Sequence, residues 1–395
     1  MIYATLGFVT SSWLSRLPDV RDALHLQPAE IGLILLIASF GSLVTMPTSG
    51  PIVQMVGARL SNRGGALLWA AGILTIALSV GARSVLVLVL GLVLLSAGVG
   101  LWGATINIEA GLVQAALRRT IVPQLHALYS IGMVVGAVVG SGLAHVGVGV
   151  FAHLVGLGVL SLAVVLSAAG LYLSVDEVAC LSGPELPVPA SDEPLALEPR
   201  GPGAGLTRRA WRERTTVLIA LMVMSAGLME GGASDWLSLS MVDGYRMTTA
   251  QGSAVLAFFL ASLSLVRIVS PRLERRFQPG PLLRMLLLCA VVGLLLVAFA
   301  PTTWLALVGV ALWGAGAALG FPTGISALSV DPVMTPARVS VLSTVNYGAA
   351  LIGPPILGII ADHVGYHRAM AALVVPVLVA VFLTRNVPDR RLPAA

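Results

Sequence analysis

The sequence is poor in charge, in cysteine and in aromatic residues. Charged residues make up 10% of its 395 positions, aromatic residues 6%, and all 23 basic residues are arginine. Hydrophobic residues make up 57%, whereas a soluble domain is about half apolar and a quarter charged, so a soluble globular protein is excluded. The two cysteines, Cys180 in a polar segment and Cys289 in an apolar run, predict no disulfide framework.

Long uninterrupted apolar runs fill most of the chain, which excludes a β-barrel of short alternating strands. A helix that crosses a bilayer needs roughly 20 apolar residues. Clusters of glycine, proline and arginine divide the runs into twelve predicted spans, at 1–15, 31–56, 65–81, 85–116, 122–144, 151–175, 215–240, 250–270, 281–299, 303–327, 338–361 and 368–385. The first run is short for a full crossing, which leaves open whether the first helix begins upstream of Met1.

A proline-rich segment separates the sixth and seventh spans. Six prolines lie within residues 184–202, and such a segment buries too little apolar surface to order itself. We therefore predict an N-terminal six-helix bundle at 1–175, a flexible linker at 176–214 and a C-terminal six-helix bundle at 215–395.

The two predicted halves share short motifs in the same order. Trp-Leu-Ser begins at Trp13 and again at Trp236, and SAGVG (96–100) aligns with LWGAG (312–316). An offset that drifts only from 216 to 223 is typical of a duplicated bundle.

The arginines predict how the chain is oriented. With a cytoplasmic N-terminus, 18 arginines, Arg267 among them, fall at predicted inner positions and five at outer ones. This positive-inside bias places both termini and the linker in the cytoplasm. Membrane topology accounts for the excess of basic over acidic residues, so we predict no nucleic-acid partner.

Four motifs carry a family resemblance: WLSRLPDVRDALHLQPAEIG (13–32), INIEA (106–110), QLHALYSIG (124–132) and MEGGASDW (229–236). With the twelve spans, they resemble the major facilitator superfamily, in the branch related to the fucose:proton symporter. The resemblance implies an all-α membrane protein of twelve transmembrane helices in two pseudo-symmetric six-helix bundles. It also implies a small-molecule substrate bound between the halves, no cofactor, and function within one chain in the bacterial cytoplasmic membrane.

Two carboxylates interrupt the seventh span. A charged side chain at a helix centre costs about 2.5–3.5 kcal/mol on insertion scales and usually faces the bundle interior, so Glu230 is a candidate proton-coupling residue or a structural hydrogen-bond partner. Asp235 lies nearer the outer end, where it caps the next turn or serves the proton pathway. Gly231 and Gly232 predict either a helix bend or close helix packing.

The fourth span offers a polar stripe. Asn107 and Glu109 point about 200° apart on a helix, whereas Asn107, Gly111 and Gln114 share a face. Relatives often carry an acid where Gly103 stands here, so Glu109 is either a relocated coupling carboxylate or a residue without that role.

Further candidates lie in the fifth and eleventh spans. His126 opens the fifth span and titrates in the useful range, or merely contacts carbonyls at a helix end. Asn346 and Tyr347 are candidates for lining the substrate pathway, or a polar pair that holds helices together.

Two loop motifs similar to the superfamily's signatures predict a conformational latch. The N-terminal copy, GPIVQMVGAR (50–59), has Gln54 in place of the usual Asp, and its counterpart is PRLERRF (271–277). The predicted latch residues are Gly50, Gln54, Gly57, Arg59, Glu274, Arg275 and Arg276.

Gly132, Gly136 and Gly140 recur at four-residue spacing in the fifth span. This spacing permits close helix contact, and it is similar to the glycine motif of drug antiporters.

No enzyme signature is present. His363 and His367 lie four positions apart, but Gly365 interrupts them, so we predict no metal site. Nucleophile elbow, P-loop and dinucleotide motifs are missing. We predict a proton-coupled secondary transporter of a small polar solute that uses no cofactor. Alternatives are proton-antiport efflux of a hydrophobic compound and a receptor or scaffold that does not transport.

Overall fold

The computed structural model describes residues 1–117, 122–168, 204–328 and 334–388, and the regular elements in these ranges are helical. Most of the predicted linker, residues 176–203, lies outside them. The described residues fall into two compact units. One is drawn from Met1–His25 and Ile37–Pro199, the other from Leu26–Leu36 and Arg200–Ala395.

Residues 1–117 and 122–168 form six helices. They are α1 (Ile2–Leu14), α2 (Leu17–Leu24), α3 (Pro28–Ala82), α4 (Val85–Leu117), α5 (Val122–His145) and α6 (Val150–Ala168). The helix α2 was not predicted, and it ends where His25 takes a left-handed conformation with φ 53°. Helix α3 contains two predicted spans, joined at a kink where Gly57 has φ 79° and ψ 161°.

The C-terminal part is also helical. It comprises α7 (Ala204–Arg212), α8 (Arg214–Gly232), a π-helical turn (Ala233–Leu237), α9 (Ser238–Tyr245), α10 (Thr249–Arg276), α11 (Pro279–Phe299), α12 (Thr303–Ala317), α13 (Gly320–Leu328) and α14 (Thr335–Val364). After these come α15 (Tyr366–Ala369), a short turn (Met370–Leu373), α16 (Val374–Leu383) and a last turn (Thr384–Asn386).

Eleven helical segments of the described chain are long and apolar enough to cross a membrane. The difference from the twelve predicted spans lies in α1, whose 13 residues fall short of the roughly 20 that a bilayer requires.

Glycines on α5 allow α1 to pack at backbone distance. A Cβ at Gly132 would overlap the carbonyl oxygen of Ala4, and one at Gly136 would overlap that of Phe8. In the same register, Ser11 Oγ donates a hydrogen bond to the Met133 carbonyl. The predicted close contact of this glycine stripe is present, and α1 is the helix that it contacts.

The last residues of the predicted linker are helical. Helix α7 has three exposed arginines, whereas Ala210 on its other side is fully buried. This one-sided pattern lets the short helix pack against the rest of the second unit. The segment is therefore ordered, whereas a flexible linker was expected. Immediately after it, Glu213 precedes α8 and accepts a hydrogen bond from Arg338 Nε at 2.7 Å.

Candidate functional site

An ion pair joins two membrane-spanning helices of the second unit. Arg267 Nη2 on α10 lies 2.5 Å from Glu230 Oε1 on α8. Arg267 Nε also donates to the carbonyl oxygen of Ala318 at 3.0 Å, so the guanidinium is held from two sides. The side chains of Arg267 and Glu230 remain 31% and 36% accessible, so neither is fully enclosed by protein.

The partner of Glu230 was not predicted. Arg267 was counted only among the arginines of the inner segments, whereas the structure places it within α10 with its side chain reaching α8. A carboxylate and an arginine that share an apolar environment reduce each other's cost of burial only when they are close and well hydrogen-bonded. The pairing explains how Glu230 is accommodated within a span.

Asn346 lies beside the same face of α8. A Cβ at Gly227, one helical turn before Glu230, would overlap Asn346 Oδ1. This oxygen is buried and has no hydrogen-bond partner among the described residues. An unpaired buried acceptor costs about 1–3 kcal/mol, so Asn346 is poised to accept a hydrogen bond from a ligand hydroxyl or a water. The adjacent Tyr347 is 45% exposed.

Asp235 lies in the π-helical turn of Ala233–Leu237. The capping interpretation is wrong, because the helix continues through the turn into α9 and no side-chain cap bond is present at the N-cap of either element. Gly231 and Gly232 are both helical, and the departure from the regular α-helix begins at the next residue, Ala233. Among the described residues the Asp235 carboxylate has no hydrogen-bond partner, and such turns are frequent at functional sites.

The first unit has a separate polar group on α1 and α4. The Tyr3 hydroxyl donates to Asn107 Oδ1 at 2.7 Å, and it also lies 3.2 Å from the Ile106 carbonyl oxygen. Glu109 is partly accessible and makes no hydrogen bond with the described residues. As expected, the two side chains have different surroundings, because Asn107 is hydrogen-bonded to Tyr3 of α1 and Glu109 is not.

Four predicted residues lie at positions where the structure describes the backbone only: Gly50, Gln54, Gln114 and His126. Of the other predicted latch residues, Arg59 follows the Gly57 kink, whereas Glu274, Arg275 and Arg276 lie in the last turn of α10. The latch motifs are thus largely helical, and a loop was expected. The positive φ of Gly57 is the only break in the first motif, and the charges of the second extend a helix end.

A second buried polar cluster, in the first unit, was also missed. His153 Nε2 on α6 lies 2.9 Å from Ser12 Oγ on α1, and His153 is only 4% exposed. Arg16 is 3% exposed and forms an ion pair with Asp19 at 2.9 Å. The pKa of Arg16 is lowered by burial and raised in part by Asp19. The only sequence signal was Arg16 directly after a predicted apolar span.

Comparison with known proteins identifies the family. The model of the Major Facilitator Superfamily matches residues 1–332. An uncharacterised transporter of Sinorhizobium fredii is 26% identical over 384 residues, covering 94% of this chain and 95% of the relative. The membrane protein MosC of Rhizobium meliloti is 25% identical over 391 residues, covering 96% and 88%.

Solved transporters share the fold. The nucleoside transporter NupG aligns with a TM-score of 0.73 at 15% identity, covering 97% of this chain and 96% of that one. The fucose:proton symporter FucP of E. coli aligns with a TM-score of 0.56 at 18% identity, covering 97% of both chains. With the family model, these likenesses confirm the expected all-α fold and a multi-pass membrane protein that is not an enzyme. The chain belongs to the major facilitator superfamily of transporters.

Proposed function

We propose that this chain is a proton-coupled secondary transporter of a small, hydroxyl-bearing polar solute. It moves the solute across the bacterial cytoplasmic membrane by alternating access, with both termini in the cytoplasm. The observation that carries the proposal is the Glu230–Arg267 ion pair, which joins two spanning helices and is not fully enclosed by protein.

The pair has the chemistry that proton coupling requires. A carboxylate can take up a proton, whereas a guanidinium cannot lose one in a protein. Protonation of Glu230 therefore cancels one charge and weakens the hydrogen bond from Arg267 Nη2, while Nε of Arg267 stays bonded to the Ala318 carbonyl. The proton changes which groups Arg267 can bind without releasing its side chain, and this change couples protonation to the arrangement of α8 and α10.

Two features support a polar, hydroxyl-bearing solute. The buried Oδ1 of Asn346 has no partner among the described residues, so it can accept a hydrogen bond from a solute hydroxyl. FucP and NupG, which share the fold, are a fucose:proton symporter and a nucleoside transporter. Fucose and nucleosides are both small solutes that carry several hydroxyls.

Proteoliposomes with an imposed pH gradient test the proposal. We expect one member of a panel of hexoses, deoxyhexoses and nucleosides to accumulate against its gradient, with dissipation of the pH gradient abolishing accumulation. Glu230→Gln should lose accumulation but keep gradient-independent exchange, because only the coupling proton is removed. Glu30→Gln is the matched control, since Glu30 is an exposed carboxylate whose bond to the Gln27 amide a glutamine can replace.

The same assay separates the rival assignments. Accumulation that persists in Glu230→Gln and disappears in Glu109→Gln or Asp235→Asn would move the coupling site and refute the role of Glu230. Proton-driven loss of a preloaded hydrophobic compound would establish antiport efflux instead. The glycine stripe of α5 lends antiport no support, because contact with α1 accounts for Gly132 and Gly136. No movement of any solute in either direction would favour a receptor.

A further inference from the structure

An apolar groove runs along the outer face of α11. Its volume is about 510 Å³, and its lining includes Arg284, Met285, Leu288, Cys289 and Val292 of this helix. Leu312 of α12 forms the other wall. The two helices approach closely beside the groove, because the backbones at Gly293 and Gly309 are in contact.

The groove has the length of one membrane leaflet. Its lining on α11 begins at Pro281 and ends at Val292, which corresponds to about 16 Å at 1.5 Å per residue. Half of a hydrocarbon core of about 30 Å is about 15 Å. Met285 is 50% exposed, Leu288 45% and Val292 49%, so these side chains face the lipid rather than a neighbouring helix.

A single cation lies at one end of this apolar surface. Arg284 is in the second turn of α11, near the membrane boundary, and its Nε donates to Thr384 Oγ1 at 3.1 Å. Neither terminal nitrogen of Arg284 has a hydrogen-bond or ion-pair partner among the described residues. Thr384 thus orients the guanidinium and leaves two nitrogens for an anion, the arrangement that binds a phosphate oxygen in two places.

We propose that this groove binds one anionic phospholipid, with its phosphate on Arg284 and an acyl chain along Met285, Leu288 and Val292. A lipid matches the site in three ways, since the groove lies on a spanning helix, is as long as one leaflet and carries a cation only at its boundary end. Cations between helices near the membrane surface are typical sites for anionic headgroups. The lipid site does not depend on the substrate or on proton coupling.

Native mass spectrometry of the full chain in detergent tests the headgroup contact. We expect wild type to retain one phosphatidylglycerol with about fivefold preference over phosphatidylcholine, the size that one arginine near a membrane surface provides. Arg284→Gln should abolish the preference and Arg284→Lys should keep part of it. Arg272→Gln is the matched control, because Arg272 is an exposed arginine on α10 away from the groove.

Cys289 allows the acyl chain to be located. In a Cys180→Ala background the rate at which a maleimide labels Cys289 reports occupancy of the groove, and phosphatidylglycerol should slow this labelling more than phosphatidylcholine does. That difference should disappear with Arg284→Gln, whose thermal unfolding shows whether the fold is kept. If the fold is lost, Cys289→Trp, which fills the groove and keeps Arg284, should lower retention of phosphatidylglycerol.

Three results would overturn the lipid site. The first is equal retention of the two lipids by wild type. The second is displacement of phosphatidylglycerol by millimolar inorganic phosphate, which would indicate an anion site without a lipid chain. The third is a dimer without bound lipid, which would show that a second copy covers the groove.

Discussion

Neutralising one member of the Glu230–Arg267 pair should destabilise the protein more than neutralising both. Removal of one partner from a buried ion pair costs about 3–5 kcal/mol, because the remaining charge is left uncompensated. Roughly a third of each side chain is accessible here, and solvent screens that charge. We therefore expect Glu230→Gln to lower the free energy of unfolding by about 2–3 kcal/mol.

The two single variants should differ from each other. In Arg267→Gln the remaining carboxyl can bind a proton and become neutral, whereas in Glu230→Gln the remaining guanidinium keeps its charge. Glu230→Gln is therefore expected to be the less stable variant. The double variant Glu230→Gln/Arg267→Gln holds two amides that can hydrogen-bond to each other, so it should recover at least half of the larger loss.

Thermal unfolding of the four proteins in one detergent measures this cycle. For a folded unit of about 200 residues, 1 kcal/mol corresponds to about 2–4 °C, so Glu230→Gln should unfold roughly 5–10 °C below wild type. A double variant whose loss equals the sum of the two single losses would show that the charges do not interact, and the reasoning from the 2.5 Å contact would fail. The double variant should also be tested for transport. If it is stable but shows no proton-driven accumulation, the coupling role of Glu230 is separated from its structural role.

Three other perturbations follow from the structure. Gly136→Ala should lower the melting temperature by several degrees, because its Cβ would overlap a carbonyl oxygen of α1, whereas Gly142→Ala on the same helix meets open space and should not. Gly57→Ala should destabilise by about 1–3 kcal/mol, because φ 79° with ψ 161° is a conformation essentially restricted to glycine, and equal melting temperatures for Gly57→Ala and wild type would contradict this. Hydrogen bonding to Arg338 lowers the pKa of Glu213, so this carboxylate stabilises the fold above its unfolded pKa of about 4.3 and the contribution is lost as pH falls through the lowered value. Wild type should thus exceed Glu213→Gln in stability at pH 6 and converge with it in strong acid, and a gap that persists at low pH would refute the ionic contribution.

The positions of the spanning helices could be predicted because bilayer thickness alone constrains them. The run predicted at 250–270 lies within α10, and the run predicted at 281–299 coincides with α11 to within two residues. The kink at Gly57 could also be anticipated, since the motif placed a glycine between two apolar runs. No comparable length rule governs α2, which ends at a left-handed His25, or the π-helical turn at Ala233–Leu237, which lies inside a continuous helical run.

The Glu230–Arg267 contact could have been predicted from the two apolar spans that contain these residues. Charged residues within spans generally pair with one another, and Glu230 and Arg267 are ionisable residues well inside two consecutive long spans, Arg214–Tyr245 and Thr249–Arg276. Arg267 lies nine residues before the end of its helix, or about 13 Å at 1.5 Å per residue, so it is a helix residue and not a loop charge. Without it the positive-inside comparison is 17 arginines against five, from 18 less one, so the predicted orientation does not depend on that residue. An arginine more than two turns inside a predicted span should first be matched with an acid in the neighbouring span, and only unmatched arginines should be counted toward topology.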